Sequence, residues 1–220
     1  MLLSLAAINA SAQESRQVSN FSAIASSGPF NVHIKLDGTE SVKVDADADI
    51  INEIETVVEN NTLKIQFKDR EWHHRDIHKA EVYVTAKALN SLINSGSGSM
   101  NVDGMITAGN FKAVLSGSGS ITSSVKSDGL HAVISGSGSI KLSGSTGDAS
   151  FVITGSGEIE GKNLKTESAK AMITGSGNIY VAADKSVSAH ITGSGSLVYS
   201  GNASIVESRS TGSGRVTKAD

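Results

Sequence analysis

The sequence predicts an all-β fold, a right-handed parallel β-helix (solenoid) with coils of about 19 residues, preceded by irregular strands and hairpins. Three observations predict it. Gly-Ser-Gly recurs seven times, starting at Gly96, Gly117, Gly136, Gly155, Gly175, Gly193 and Gly212, in steps of 21, 19, 19, 20, 18 and 19 residues. Four places after each first glycine stands an apolar residue: Met100, Ile121, Ile140, Ile159, Ile179, Leu197 or Val216. Two places before it, the five inner copies carry Leu115, Ile134, Ile153, Ile173 and Ile191. Alternation at period two on both sides of a fixed turn describes strands with one buried face.

The order of elements begins with a leader. Leu2 to Ile8 is a short apolar run, and Ala10-Ser11-Ala12 is an A-x-A cleavage pattern. Residues 1–12 therefore read as a signal peptide, with the mature chain starting near Gln13 and, because no basic segment precedes the apolar run, a true start upstream of Met1. Export to the periplasm, outer surface or medium follows as an expectation. No stretch reaches the roughly 20 apolar residues of a membrane-spanning helix.

Residues 13–90 form an N-terminal β region, either early coils or a cap. Phe30 to Leu36 alternates, Asp37-Gly38-Thr39 turns, and Ser41 to Asp47 alternates back, which predicts a hairpin. Asp49 to Glu55 suits one helical turn capped by Asp49. Val57 to Glu59 and Thr62 to Phe67 predict a second hairpin around Asn60-Asn61, and Lys79 to Ala86 a further strand. Such a region would cover a sheet edge that otherwise invites aggregation.

Residues 91–220 are the repeats. A lone coil fixes about 19 backbones at on the order of 1–2 kcal/mol each, while a buried Ile or Leu returns only about 1.5–3 kcal/mol. Coils must stack to be stable, with each isoleucine over its counterpart. A left-handed hexapeptide helix has no six-residue subperiod here, and the calcium-binding nonapeptide repeat would need Asp and a double glycine. In the last copy Ser208 and Ser210 take inward slots beside Arg209, Arg215 and Lys218, a polar finish that suits an open end. Oligomerisation through that end is the alternative.

By subtraction, the outward side of the glycine motif carries hydroxyls. Its central residues are Ser97, Ser118, Ser137, Ser156, Ser176 and Ser194, and the residue before the motif becomes Thr154, Thr174 and Thr192 in later copies. These are the candidate ligand-binding residues. They either solvate a strand and hydrogen-bond up the ladder, or recognise a glycan, a surface protein or ordered water.

Together with Phe21-Ser22-Ala23-Ile24, Gly28-Pro29-Phe30-Asn31-Val32, Ser41 to Asp47 and Ile54 to Ile65, the repeats resemble the putative auto-transporter adhesin, head GIN domain family. The resemblance implies an exported bacterial β-helix with an adhesin-like role. It implies no catalytic residue.

Other chemistry is thinly supported. Net charge is -3, which leaves no footprint for nucleic acid, and with no cysteine there is no disulfide framework. His73, His74 and His78, with Glu71 and Asp76, could bind zinc or copper, but Lys68, Arg70, Arg75 and Lys79 flank them and a polar loop is the simpler reading. Glu158 and Glu160 share a face and would serve a polysaccharide-active enzyme only as a flanking carboxylate pair; beside Lys141 they read as a cross-coil ion pair. The expected function is a non-enzymatic surface binding module without cofactor or metal. The alternatives are an ice- or water-ordering hydroxyl surface and a polysaccharide-active enzyme.

Overall fold

A computed structural model describes residues 11–68 and 77–219. Eight short strands come first among the described residues: β1 (Ser11–Arg16), β2 (Ala23–Ser27), β3 (Asn31–Leu36), β4 (Ser41–Asp47), β5 (Ile54–Glu59), β6 (Thr62–Phe67), β7 (Ala80–Ala86) and β8 (Ser91–Gly96). Five long ones follow: β9 (Ser99–Gly117), β10 (Ser120–Gly136), β11 (Ser139–Gly155), β12 (Glu158–Gly175) and β13 (Asn178–Gly193). The last turns use β14 (Ser196–Ser200), β15 (Ser204–Gly212) and β16 (Arg215–Lys218). All join one sheet wound into a parallel solenoid of about seven turns.

Stacking is in register, as the repeat demands. Ile121 faces Met100 on one side and Ile140 on the other, and the column continues through Ile159, Ile179 and Leu197 to Val216. A second column runs Leu115, Ile134, Ile153, Ile173, Ile191, and both are buried from Met100 to Leu197. Each wholly buried isoleucine contributes about 1.5–3 kcal/mol, and only the neighbouring coils keep water off it.

Coil length decides how the alternation closes on itself. An odd coil cannot keep side chains alternating all the way round. In β10 the inward residues are Ile121, Ser123 and Val125, then Leu130, Ala132 and Ile134, so the phase slips once between Val125 and Leu130, at a bend on the far side from the glycines. Variation in length is absorbed between the two corners as well. β12 bulges by one residue where Lys141 to Ser143 faces Glu160 to Asn163. β13 then saves three residues where Gly161 to Lys165 faces Val181 to Ala182, and returns one where Thr166 to Ser168 faces Ala183 to Ser186. The glycine corner itself never shifts.

The N-terminal region both begins the solenoid and closes it. β2 lies in parallel between β6 and β8, and β3 lies between β7 and β9. β7 therefore separates β3 from β4, and the hairpin expected across Asp37-Gly38-Thr39 does not form. β4 instead runs antiparallel to β7, β1 antiparallel to β4, and β5 antiparallel to β6. The physical reason is that β3 has two edges to satisfy. The β6–β7 coil pairs with both halves of the β2–β3 coil, leaving β4 to cover the outer edge.

The β5–β6 hairpin does form, with Asn60 and Asn61 at φ 49° and 60°, the left-handed pair that a two-residue turn needs. The helical turn is a 3-10 turn at Ile51–Glu53 whose cap position is Ile50, with no side-chain capping bond; Asp49 is not the cap. Its carbonyls are served from outside, since Arg16 donates to Ile51 O at 3.0 Å and to Ile54 O. The opposite end is open. β15 is exposed along its length, with Ile205 at 45% and Val206 at 67%.

Candidate functional site

The expected hydroxyl columns lie at the glycine corner, and the corner exists because of the glycines. Gly117, Gly136, Gly155, Gly175, Gly193 and Gly212 have φ between +116° and +130°, a region side chains rarely adopt. A Cβ on Gly136, Gly155, Gly175, Gly193 or Gly212 would also stand 2.3–2.4 Å from the carbonyl oxygen of the glycine one coil below. The second glycine has a different task. A Cβ on Gly157, Gly177, Gly195 or Gly214 would lie 2.4–2.7 Å from Cγ2 of Ile134, Ile153, Ile173 or Ile191 in the preceding coil. The inward isoleucine of one coil thus seats in the space vacated by the next coil's glycine. Spacing suggested a close approach at these glycines; it did not identify the isoleucine as what approaches.

An eighth corner went unread in the sequence. Gly28 has φ +141°, and a Cβ on Gly96 would meet its carbonyl oxygen, while one on Gly98 would meet that of Phe30. Gly28-Pro29-Phe30 occupies the place of Gly-Ser-Gly one coil earlier. The available signal was Ser26-Ser27 before Gly28, with Phe30 taking the second glycine's slot.

Around this corner the polar residues stack in register. Ser95, Ser116, Ser135, Thr154, Thr174, Thr192 and Thr211 face one another coil by coil. Ser97, Ser118, Ser137, Ser156, Ser176 and Ser194 sit on the corner itself, and all are exposed. Successive hydroxyls are spaced by the strand separation of about 4.8 Å. Among the described residues, none of the corner serines, nor Thr154, Thr174 or Thr192, gives its hydroxyl to another protein group. Elsewhere hydroxyls do pair up the ladder: Ser124 with Ser143 at 2.7 Å, and Ser127 to Thr146 at 3.0 Å. The corner hydroxyls are left to whatever lies outside.

The third column after the corner is mixed: Ser99, Ser120, Ser139, Glu158, Asn178, Ser196, Arg215. Partial burial, followed by the neighbouring Glu160, raises the Glu158 carboxyl above its ordinary value. Glu160 pairs with Lys141 at 3.3 Å, the cross-coil ion pair expected, and Lys162 lies 4.4 Å above the Tyr180 ring. His73 and His74 fall outside the described residues; His78 is exposed, and its backbone N–H donates to Asp47 at 2.8 Å. Among the described residues no three His, Asp or Glu side chains gather as a metal site, and no helix is long and apolar enough to cross a membrane.

Comparison with known proteins places this geometry. The sequence profile of the family described as "Putative auto-transporter adhesin, head GIN domain" matches residues 20–203. The structure is similar to that of a putative adhesin from Bacteroides fragilis, with TM-score 0.88, 24% identity, and coverage of 96% of this chain and 98% of that one. A putative lipid binding protein from Parabacteroides distasonis has TM-score 0.77 and 24% identity, covering 96% and 97%. A putative adhesin from Parabacteroides merdae has TM-score 0.76 and 21% identity, covering 96% of each chain. No curated protein matches the chain in sequence.

Proposed function

From the premise that the chain belongs to the family described as "Putative auto-transporter adhesin, head GIN domain", we propose that it is an exported, non-enzymatic module that binds a repetitive partner, a glycan or a surface protein, at the cell envelope. One observation carries the reading. Six coils, from Ser97 to Ser194, hold an exposed hydroxyl in the same slot, unpaired among the described residues, while every change of coil length is taken up elsewhere. The rigid sheet beneath fixes the hydroxyls before a partner arrives, which lowers the ordering cost of binding.

Export is supported by the apolar leader and its Ala10-Ser11-Ala12 site. Cleavage after Ala12 keeps Gln13, which donates to Asp45 at 2.9 Å, and Arg16 with its carbonyl contacts. N-terminal sequencing of the exported protein should begin at Gln13; a protein that keeps Leu2 to Ile8 would refute export by this leader.

The binding test is an array of glycans and matrix proteins probed with native protein and with Ser137→Lys, Ser156→Lys and Ser176→Lys combined. Loss of a hit in the triple variant supports the corner as the site, and unchanged binding sinks it. A second reading has its own observation. A trough of about 570 Å³ crosses the coils over Phe111, Leu130, Ala149 and Ala169, with Lys112 and Lys170 at its rim. An acyl chain with an anionic head suits that lining, and displacement of a fluorescent fatty acid would test it.

A further inference from the structure

On the face that follows the glycine corner, four adjacent strands in the order β4, β7, β3, β9 carry a groove of about 630 Å³. One wall is Lys43, Tyr83, His33 and Asn101, paired in register across the strands. The other is Ser41, Thr85, Lys35 and Asp103, two residues further along each strand or its antiparallel equivalent. With strands about 4.8 Å apart, the three intervals give a length of roughly 14 Å. The groove runs along the solenoid axis, so it suits an extended ligand.

Its centre is built with more order than a solvated face needs. Tyr83 is 43% exposed, and His33 stacks on it with ring centroids 4.9 Å apart and planes 17° from parallel. His33 Nε2 lies 2.5 Å from Glu81 Oε2. The other Glu81 oxygen accepts from Asn31 Nδ2 at 2.9 Å, and Asn31 Oδ1 accepts from Ser99 at 2.9 Å. Three side chains on three strands, Glu81, Asn31 and Ser99, thereby fix the imidazole, and the imidazole backs the phenol ring. None of these groups belongs to the core. Immobilising a side chain costs about 0.5–1.5 kcal/mol when a ligand must do it. Here folding has already done so.

We propose that this groove binds an extended oligosaccharide, with the Tyr83–His33 pair as its apolar platform. A pyranose ring presents C–H groups on its faces and hydroxyls around its rim. Rigid aromatic rings match the faces at low entropic cost. Donors and acceptors for the rim stand on both walls: the Asn101 amide, the Asp103 carboxylate, Lys35, and the Ser41–Thr85 hydroxyl pair at 2.9 Å. An acyl chain would leave these polar groups unpaired. The groove uses different columns of the coil from the corner serines, so this proposal and the preceding one stand or fall separately.

The experiment is an array of linear oligosaccharides, neutral and uronic-acid-containing, followed by calorimetry on the hits. Native protein should bind at least one, Tyr83→Ala should weaken it by about tenfold or more, and Tyr83→Phe should retain it. Asn101→Ala is the second variant, expected to weaken binding even if Tyr83→Ala fails to fold. The proposal is overturned if no oligosaccharide binds, or if a folded Tyr83→Ala or Asn101→Ala protein binds as tightly as native. A hit lost only in the corner lysine variants would overturn it too.

Discussion

Replacing Gly155 by alanine tests the geometry of the corner most directly. Gly155 has φ +121°, and its new Cβ would stand 2.4 Å from Gly136 O. That oxygen already accepts the Ser156 N–H at 3.0 Å, so it cannot retreat without loss of the ladder. Holding a non-glycine residue in such a backbone region costs about 1–3 kcal/mol. Forcing the carbonyl aside adds a weakened hydrogen bond, about 0.5–1.5 kcal/mol, and local repacking of about 1–3 kcal/mol. The reduced freedom of the unfolded chain returns only about 0.4–1 kcal/mol. Taking the middle of each range, the net loss is roughly 4 kcal/mol, a large part of the usual 5–15 kcal/mol of a domain. At about 2–4 °C per kcal/mol for a chain of this size, the melting midpoint should fall by on the order of 10 °C. Circular dichroism during urea and thermal unfolding reads it, with Ser156→Ala as the exposed neighbour expected to stay within about 0.5 kcal/mol. A Gly155→Ala protein as stable as native would refute the account of the corner.

Two further outcomes follow from the structure. Ile140 is wholly buried between Ile121 and Ile159, so Ile140→Ala should cost about 2–5 kcal/mol in urea unfolding; a loss below about 1 kcal/mol would mean the column is not a packed seam. Asp45 is held below its ordinary carboxyl value by Lys79 at 2.8 Å and then by Gln13 at 2.9 Å. Because the folded value is the lower one, the pair's contribution is full above the unfolded value of about 3.9 and is lost as pH falls through the folded one. Hydrogen-exchange protection in β1 and β4, taken relative to the intrinsic rate at each pH, should therefore fall on acidification below about pH 4, and Asp45→Asn should remove that dependence; identical profiles would contradict it.

What the sequence made legible was whatever repeats. The spacing of Ile121, Ile140, Ile159 and Ile179 names their column, because one coil's period is the only free parameter. Strand neighbours in the N-terminal third were not legible. Alternation in Asn31–Leu36 and in Ser41–Asp47 says which side chains face inward, and nothing about β7 coming between them from some fifty residues away. The Tyr83–His33 groove was hidden for the same reason, since Asn31 and Glu81 meet across a sequence separation of 50. Gly28-Pro29-Phe30 escaped because only its first residue keeps the repeat's identity. The assignment of Asp49 as a cap followed local preference, whereas Arg16, arriving from β1, settles the carbonyls of that turn.

Length changes fall between Glu160 and Ser168 and its counterparts, or, in the last coil, where Val187 to Ser188 faces Ile205 to Glu207, and never at the glycine corner, which makes that corner and the rest of each coil unequal partners. One side acts as a ruler, ticking at the strand spacing whatever happens opposite. The other is a place for insertion: a peptide grafted between Lys126 and Gly129 would hang from the bend while Ser118, Ser137 and Ser156 kept their rank. The scaffold can therefore gain or shed residues, by natural drift or by engineering, without its graduated edge losing a mark.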